Sequence, residues 1–227
     1  MKFAIKKIYY KVKKKGLKKS FKIVLEKSFL PFFRKWETYL LEYTTCPEDL
    51  HLSDQALIQI REIMPNEIHL VNQSIRQSDS IWMKRWGSGA KCFGVLYHSK
   101  VIEYCWACFT NLYQDPTDKF SIHLNPGECF LFDYVSDKEK PFELGRFRLM
   151  KDMIHFGYQY MKSEFPTEEI KFLTLVQKKN RVSLYFHEKM VYAKVIANVS
   201  LYRFLWIKWF NREDVEESYF LRLENSR

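Results

Sequence analysis

Apolar positions recur along this chain with two periods, and the change from one to the other marks its elements. Between Phe3 and Phe29, the residues Ile5, Ile8, Tyr9, Val12, Leu17, Phe21, Val24 and Leu25 fall at helical spacing with lysines between them. This predicts an amphipathic helix, interrupted at Gly16 and ended by Pro31. Trp36 to Tyr43 alternates and predicts a first strand. Asp54 to Met64 predicts a short helix with Ala56, Leu57, Ile60 and Met64 on one side, Ser53 as its N-cap and Pro65 as its stop. Another short helix is expected from Ser80 to Trp86, broken by Gly87-Ser-Gly89. Lys91–Tyr97 and Val101–Phe109 predict a hairpin about His98-Ser-Lys100. The polar loop Thr110–Lys119 follows, placed to reach over an acceptor pocket. A short strand is expected at Ser121–Leu124 and a turn at Asn125-Pro-Gly127.

The chain is organised around Glu128 to Tyr192. Glu128–Val135 reads as an apolar, aromatic strand, and Ser136–Glu143 as a polar loop into a helix that starts near Leu144. Ile170–Val176 reads as a second strand ending at Gln177-Lys-Lys-Asn180, and Val182–Met190 as a second helix. A second hairpin is expected from Tyr192–Ser200 and Tyr202–Phe210. The tail beyond Asn211 is either a short strand or a frayed end. The sum is an α/β (α+β) fold: a mixed, mostly antiparallel sheet of six to seven strands flanked by helices. Residues 1–35 form a basic helical extension and residues 36–227 one domain.

Charge is distributed unevenly. The net charge is +10, yet residues 1–35 carry twelve lysines and Arg34 against the single acid Glu26, so the remainder is slightly acidic. Nucleic-acid binding by the folded body is therefore disfavoured. The basic helix has three readings: contact with an anionic membrane surface, packing on its own domain, or contact with RNA or DNA. No run of 18 apolar residues predicts a transmembrane span, and no clean apolar segment marks a signal peptide. The expected location is cytoplasmic, with a peripheral place at the inner face of the membrane as an option. Five cysteines, an odd number, suggest reduced thiols. Cys105 and Cys108 lie three apart on an expected strand and so face opposite ways, which argues against a metal or redox pair. There is no GxSxG, P-loop, HExxH or GxGxxG motif.

Three runs within residues 82–210 resemble one family. Val135-Ser-Asp-Lys-Glu-Lys-Pro-Phe-Glu-Leu-Gly145 lies between strand and helix where that family has Val-x-Pro-x-x-Arg-Gly-x-Gly-x-Gly/Ala. Lys140 stands in place of the Arg, Pro141 and Glu143 replace the first two glycines, and Gly145 keeps the third small position. Asn180-Arg-Val-Ser183 resembles the Asn-x-x-Ser/Ala after the next strand, and Phe186-His-Glu-Lys-Met-Val-Tyr192 resembles the Phe-Tyr-Glu-Lys-x-Gly-Phe that follows. With the order of elements, these runs resemble the GNAT superfamily of acyl-CoA N-acyltransferases, in particular members that modify polysaccharides and amino sugars.

The resemblance implies acetyl-CoA as co-substrate and no metal. It places the pyrophosphate at Lys140, Leu144, Gly145 and Arg146, where backbone N–H groups and a helix dipole favour an anion. Pro141 lacks an N–H and Glu143 adds an anion, with Lys138, Lys140, Arg146 and Arg148 as electrostatic compensation. The backbone of Phe132, Tyr134 and Val135 would pair with the pantetheine amides, and Asn180 and Ser183 would lie near that arm. Asn180 reads equally well as an ordinary N-cap. His187 stands where the family has its proton-donating Tyr, and an imidazolium can donate near neutral pH; Tyr185 is the alternative. For a general base, Glu128 is favoured over Asp133, with His123 or a water chain also open. The implied reaction is N-acetylation of a small primary amine, such as an amino sugar or sugar nucleotide in surface polysaccharide synthesis. Alternatives are a longer acyl group from an acidic acyl carrier protein, a non-catalytic GNAT-like scaffold, and a nucleic-acid module built on residues 1–35. The oligomeric state is left open.

Overall fold

In the computed structural model, residues 33–43, 58–114, 121–139, 145–166, 168–204 and 206–220 are described. The basic helix expected over residues 3–30 lies outside them. The strands are β1 (Phe33–Tyr43), β2 (Ile58–Ile63), β3 (Lys91–Tyr97), β4 (Lys100–Cys108), β5 (Leu112–Gln114), β6 (Ser121–His123), β7 (Glu128–Ser136), β8 (Lys171–Gln177), β9 (Lys194–Phe204) and β10 (Ile207–Phe220). The helices are α1 (Asp79–Gly87), α2 (Arg146–Glu164) and α3 (Arg181–Met190), with a 3-10 turn at Pro65–Leu70. Eight strands form one sheet in the order β10-β9-β1-β8-β7-β4-β3-β2, and β5 and β6 form a separate pair. Only β7 and β8 run parallel; the other strand pairs are antiparallel. The fold is the expected mixed, mostly antiparallel sheet flanked by helices, with more strands than the six or seven expected.

Alternation along the strands builds two cores. Leu41, Phe93, Leu131 and Phe172 point to one face, where α2 supplies Met153 and Ile154 and α3 supplies Leu184 and Phe186. Leu40, Phe130 and Leu173 point to the other, under Tyr113 and Ile122 of the β5–β6 pair. Farther along that second face α1 lays Trp82 on Tyr104 and Trp106, with ring centroids 4.8 and 5.0 Å apart. Cys105 joins the first core and Cys108 the second, because residues three apart on a strand point opposite ways.

Several boundaries differ from the sequence reading. Residues 58–63, read as part of a helix, form an edge strand on β3. Ile58 and Ile60 are two apart and β-branched, and Ile63 is fully buried, so the strand period wins over a poor helical one. The second hairpin closes with Phe204 opposite Ile207, not near Leu201, and β10 continues to Phe220, so residues 211–220 of the tail are strand. The expected first strand does form, but it inserts between β8 and β9 and starts at Phe33.

Gly127 fixes where β7 begins. Its φ is +82°, and a Cβ there would lie 2.6 Å from the carbonyl oxygen of Glu169. Its own carbonyl accepts from Lys171 N at 3.0 Å, the contact that leads into the parallel pairing. A side chain here meets both the left-handed penalty and a backbone clash. Gly127→Ala is expected to lower the unfolding free energy by about 2 kcal/mol or more, measured by urea titration.

Candidate active site

The parallel pairing of β7 with β8 is short. It runs from Glu128 opposite Lys171 to Leu131 opposite Thr174 and then stops. Beyond it the strands diverge around a cavity of about 760 Å³. Phe132, Asp133 and Tyr134 of β7 form one wall, and Leu175, Val176 and Gln177 of β8 form the other. Phe147 and Met150 of α2 and Val182, Ser183 and His187 of α3 line it on one face of the sheet; Tyr113 and Leu201 line it on the other. The cavity therefore passes through the sheet.

A bulge turns β7 away from its parallel partner. Phe132 pairs with Trp106 and Val135 with Tyr104, so Asp133 and Tyr134 together oppose Cys105. Asp133 has φ +48°, a conformation that Asp tolerates better than most residues. Its carboxylate accepts from Arg85, which is only 2% exposed, and from Gln77 Nε2 at 3.2 Å. Arg85 also donates to Gln77 Oε1 at 2.9 Å, and its guanidinium lies 5.3 Å from the ring centroids of both Trp106 and Phe132. One residue on, the Tyr134 hydroxyl donates to buried Glu103, which also accepts from Ser136 Oγ at 2.8 Å. The bulged segment is thus held from its β4 side. Its opposite edge faces the cavity without a pairing strand among the described residues.

Both helices on that face present their N-termini near the cavity. Gly145 begins α2 with φ +61°; no side chain caps the helix and its first turn holds no acid. The positive end of the dipole is therefore not neutralised by an acid of that turn. Arg146 is the first residue of α2, whereas Lys140 and Leu144 lie outside the described residues. At α3, Asn180 accepts from Ser183 N at 3.2 Å, so it is an N-cap that also lies on the cavity wall. Lys179 is beside it on the wall.

His187 and Tyr43 are two buried titratable groups of the cavity wall, which also carries buried Cys105 and Tyr113. The ring centroids of His187 and Tyr43 are 5.9 Å apart, and each of the two is 3% exposed. Neither His187 Nδ1 nor the Tyr43 hydroxyl has a hydrogen-bond partner. Burial lowers the His187 pKa to about 4 and raises that of Tyr43 well above its ordinary value. Both are therefore neutral at pH 7, so His187 is an imidazole and not the imidazolium donor expected from the sequence.

Of the residues singled out earlier, Phe132, Tyr134, Asn180, Ser183 and His187 come together on the wall. Val135 packs toward the Trp82 core instead. Tyr185 is 47% exposed and off the wall, its ring 6.1 Å from that of Phe147. Glu128 is also off the wall: its carboxylate accepts from Asn125 N at 2.9 Å and from Asn125 Nδ2 at 3.1 Å, which braces the turn before β7. His123 is exposed on β6. Sequence reasoning missed Tyr43, the Arg85–Asp133 pair and Tyr113. The polar loop expected at Thr110–Lys119 contains β5, which carries Tyr113 to the wall. Among the described residues no three His, Cys, Asp or Glu side chains are placed to hold a metal ion. Nor is any described helix long and apolar enough to cross a membrane.

No protein-family model matches the chain, and no curated protein sequence matches it. Solved structures similar to it include a GNAT-family structure from Novosphingobium aromaticivorans, described as an acetyltransferase (9% identity, TM-score 0.47, covering 76% of this chain and 66% of that one). A tandem GNAT protein from the clavulanic acid biosynthesis pathway matches at 11% identity with TM-score 0.48, covering 78% of this chain and 53% of that one. A conserved protein of unknown function from Staphylococcus epidermidis matches at 10% identity with TM-score 0.46, covering 85% and 67%. The chain thus spans about half to two thirds of the length of these structures. At such identities no residue of the site is carried from one to another.

Burial of neutral His187 makes stability depend on pH. The unfolded ring titrates near 6.5 and the folded one near 4. Between these values the unfolded chain binds the extra proton, so the stabilisation is present above pH 6.5 and is lost as pH falls to 4, by about 3 kcal/mol. His187→Phe is expected to flatten the melting-temperature profile between pH 6.5 and 4 relative to the parent chain. Parallel profiles for the two would contradict a buried neutral imidazole.

Proposed function

We propose that this chain is a GNAT-type acyltransferase, taking an acyl group from a thioester on a pantetheine arm and passing it to a primary amine. The observation that carries the reading is the early end of the β7–β8 pairing. Two strand edges that no longer pair with each other face one cavity that crosses the sheet. An extended chain bearing amides can complete such an edge as a strand would, and pantetheine is a chain of that kind. The acyl donor enters from the α2–α3 face and the amine from the face of Tyr113 and Leu201. The uncapped start of α2, with Lys179 nearby, suits the phosphates of acetyl-CoA.

The chemistry needs little from side chains. The amine nitrogen attacks the thioester carbonyl, and the C–S bond breaks as the tetrahedral intermediate collapses. The proton lost from nitrogen balances the one taken up by the departing thiolate. N–H groups on the free edge of β7 can hold the carbonyl oxygen as it gains charge. His187, neutral and weakly basic, accepts a proton only as the C–N bond forms, when the amine becomes strongly acidic. Tyr43, beside His187, can hydrogen-bond to the departing thiolate and give it a proton only as it regains one from His187, so that the proton taken from nitrogen ends on sulfur. An amino-sugar acceptor rests on the sequence resemblance alone.

Calorimetric titration with acetyl-CoA tests the reading. Saturable binding is expected, weakened at least about tenfold, or ~1.4 kcal/mol, by Met150→Trp, which fills the cavity. Binding of an acylated carrier protein in place of acetyl-CoA would redirect the donor to that class. Binding of neither by a folded chain would leave the non-catalytic reading that Pro141 and Glu143 suggest.

A further inference from the structure

The far end of the β1–β9–β10 ladder carries a surface that acyl transfer does not use. Registers align Arg34 with Arg203 and Arg203 with Lys208, so three cations occupy one cross-strand row. On the other face the adjacent row is Lys35, Tyr202 and Trp209. There the rings of Tyr202 and Trp209 stack at 5.3 Å, and Lys35 Nζ lies 5.8 Å over Tyr202. At the turn itself, Trp206 is 78% exposed, Ile207 52% and Trp209 41%. Phe33–Trp36, Leu201–Phe204 and Trp206–Phe210 include no acid, and Glu37, the next residue along β1, pairs with Lys35 at 2.9 Å.

Exposed tryptophan beside an excess of lysine and arginine is the composition of the boundary between lipid headgroups and acyl chains. Residues 1–32, with eleven lysines and one acid, join the sheet at this same end, where β1 begins at Phe33. We infer that the β9–β10 turn and the start of β1 dock on a bilayer surface containing anionic lipid. Trp206 and Ile207 insert at the acyl boundary, while Arg34, Arg203 and Lys208 meet the headgroups. A bilayer fits better than an acidic protein because the exposed groups are large apolar side chains at a hairpin turn, and insertion into lipid buries them without a matching pocket. Leu201, on the cavity wall, lies two residues along β9 from Arg203. Docking therefore sets the cavity beside the membrane, which favours an amine or acyl group borne on an amphiphile. The docking claim itself does not depend on the acyl-transfer reading.

The test is co-sedimentation of the full chain with vesicles of phosphatidylcholine, with and without phosphatidylglycerol. Binding is expected only where phosphatidylglycerol is present. Lys and Arg near the headgroups strengthen binding to anionic lipid, so the double variant R203E/K208E is expected to weaken binding by about tenfold or more. The double variant W206S/W209S is expected to weaken it as well, with circular dichroism spectra of both variants matching the parent. Lipids brominated on their acyl chains should quench tryptophan emission, less so in W206F. Failure to bind anionic vesicles overturns the inference, as does binding that both double variants leave unchanged. Retention by an acidic carrier protein instead of vesicles, with the same sensitivity to the variants, also overturns it.

Discussion

Four residue pairs, Glu128–Lys171 to Leu131–Thr174, join the two halves of the sheet. On one side lie β7, β4, β3 and β2; on the other lie β8, β1, β9 and β10. Each half is held internally by longer antiparallel ladders, which lets the seam end early without loosening either half. The early end leaves backbone amides facing a cavity, and that open edge is what a ligand can use. A seam that stops inside a sheet leaves room for an extended chain to continue it.

Holding the seam open requires support on the side away from the cavity. The bulge at Asp133 supplies the change of direction, and Arg85 fixes the bulge. A buried guanidinium is costly unless its donors and faces are engaged. Here Asp133 and Gln77 take hydrogen bonds from the terminal nitrogens, and Trp106 and Phe132 lie 5.3 Å from the cation, while Nε is buried without a partner. Glu103 does the same work one residue farther on, through Tyr134 and Ser136. The geometry of the cavity wall thus depends on Gln77, Arg85 and Glu103, none of which lines it.

Much of this architecture was legible in the chain. The strand–loop–helix–strand–helix order from Glu128 to Tyr192, the hairpin about His98, and Asn180 as an N-cap follow from period and local chemistry alone. The position of β1 was not legible. Alternation identifies Trp36–Tyr43 as a strand but says nothing about its neighbours, and only its insertion between β8 and β9 brings Tyr43 beside His187. The segment 58–63 was misread because three isoleucines in six residues fit both periods poorly, and edge pairing with β3 decided the outcome. The burial of His187 also escaped notice, since a helix of mixed composition does not announce which face meets a cavity. Glu128 looked like a base on the central strand, but a three-residue turn claims its carboxylate.

Hydrogen exchange at the free edges of β7 and β8 tests the account most directly. Exchange at Phe132 to Val135 and at Leu175 to Gln177 would be followed alone, with coenzyme A, and with the adenosine bisphosphate portion of coenzyme A that lacks pantetheine. The account predicts slower exchange at these amides with coenzyme A and little change with the nucleotide alone. Unchanged exchange under saturating coenzyme A, or protection given equally by the nucleotide, would contradict the claim that this edge is completed by an extended amide chain.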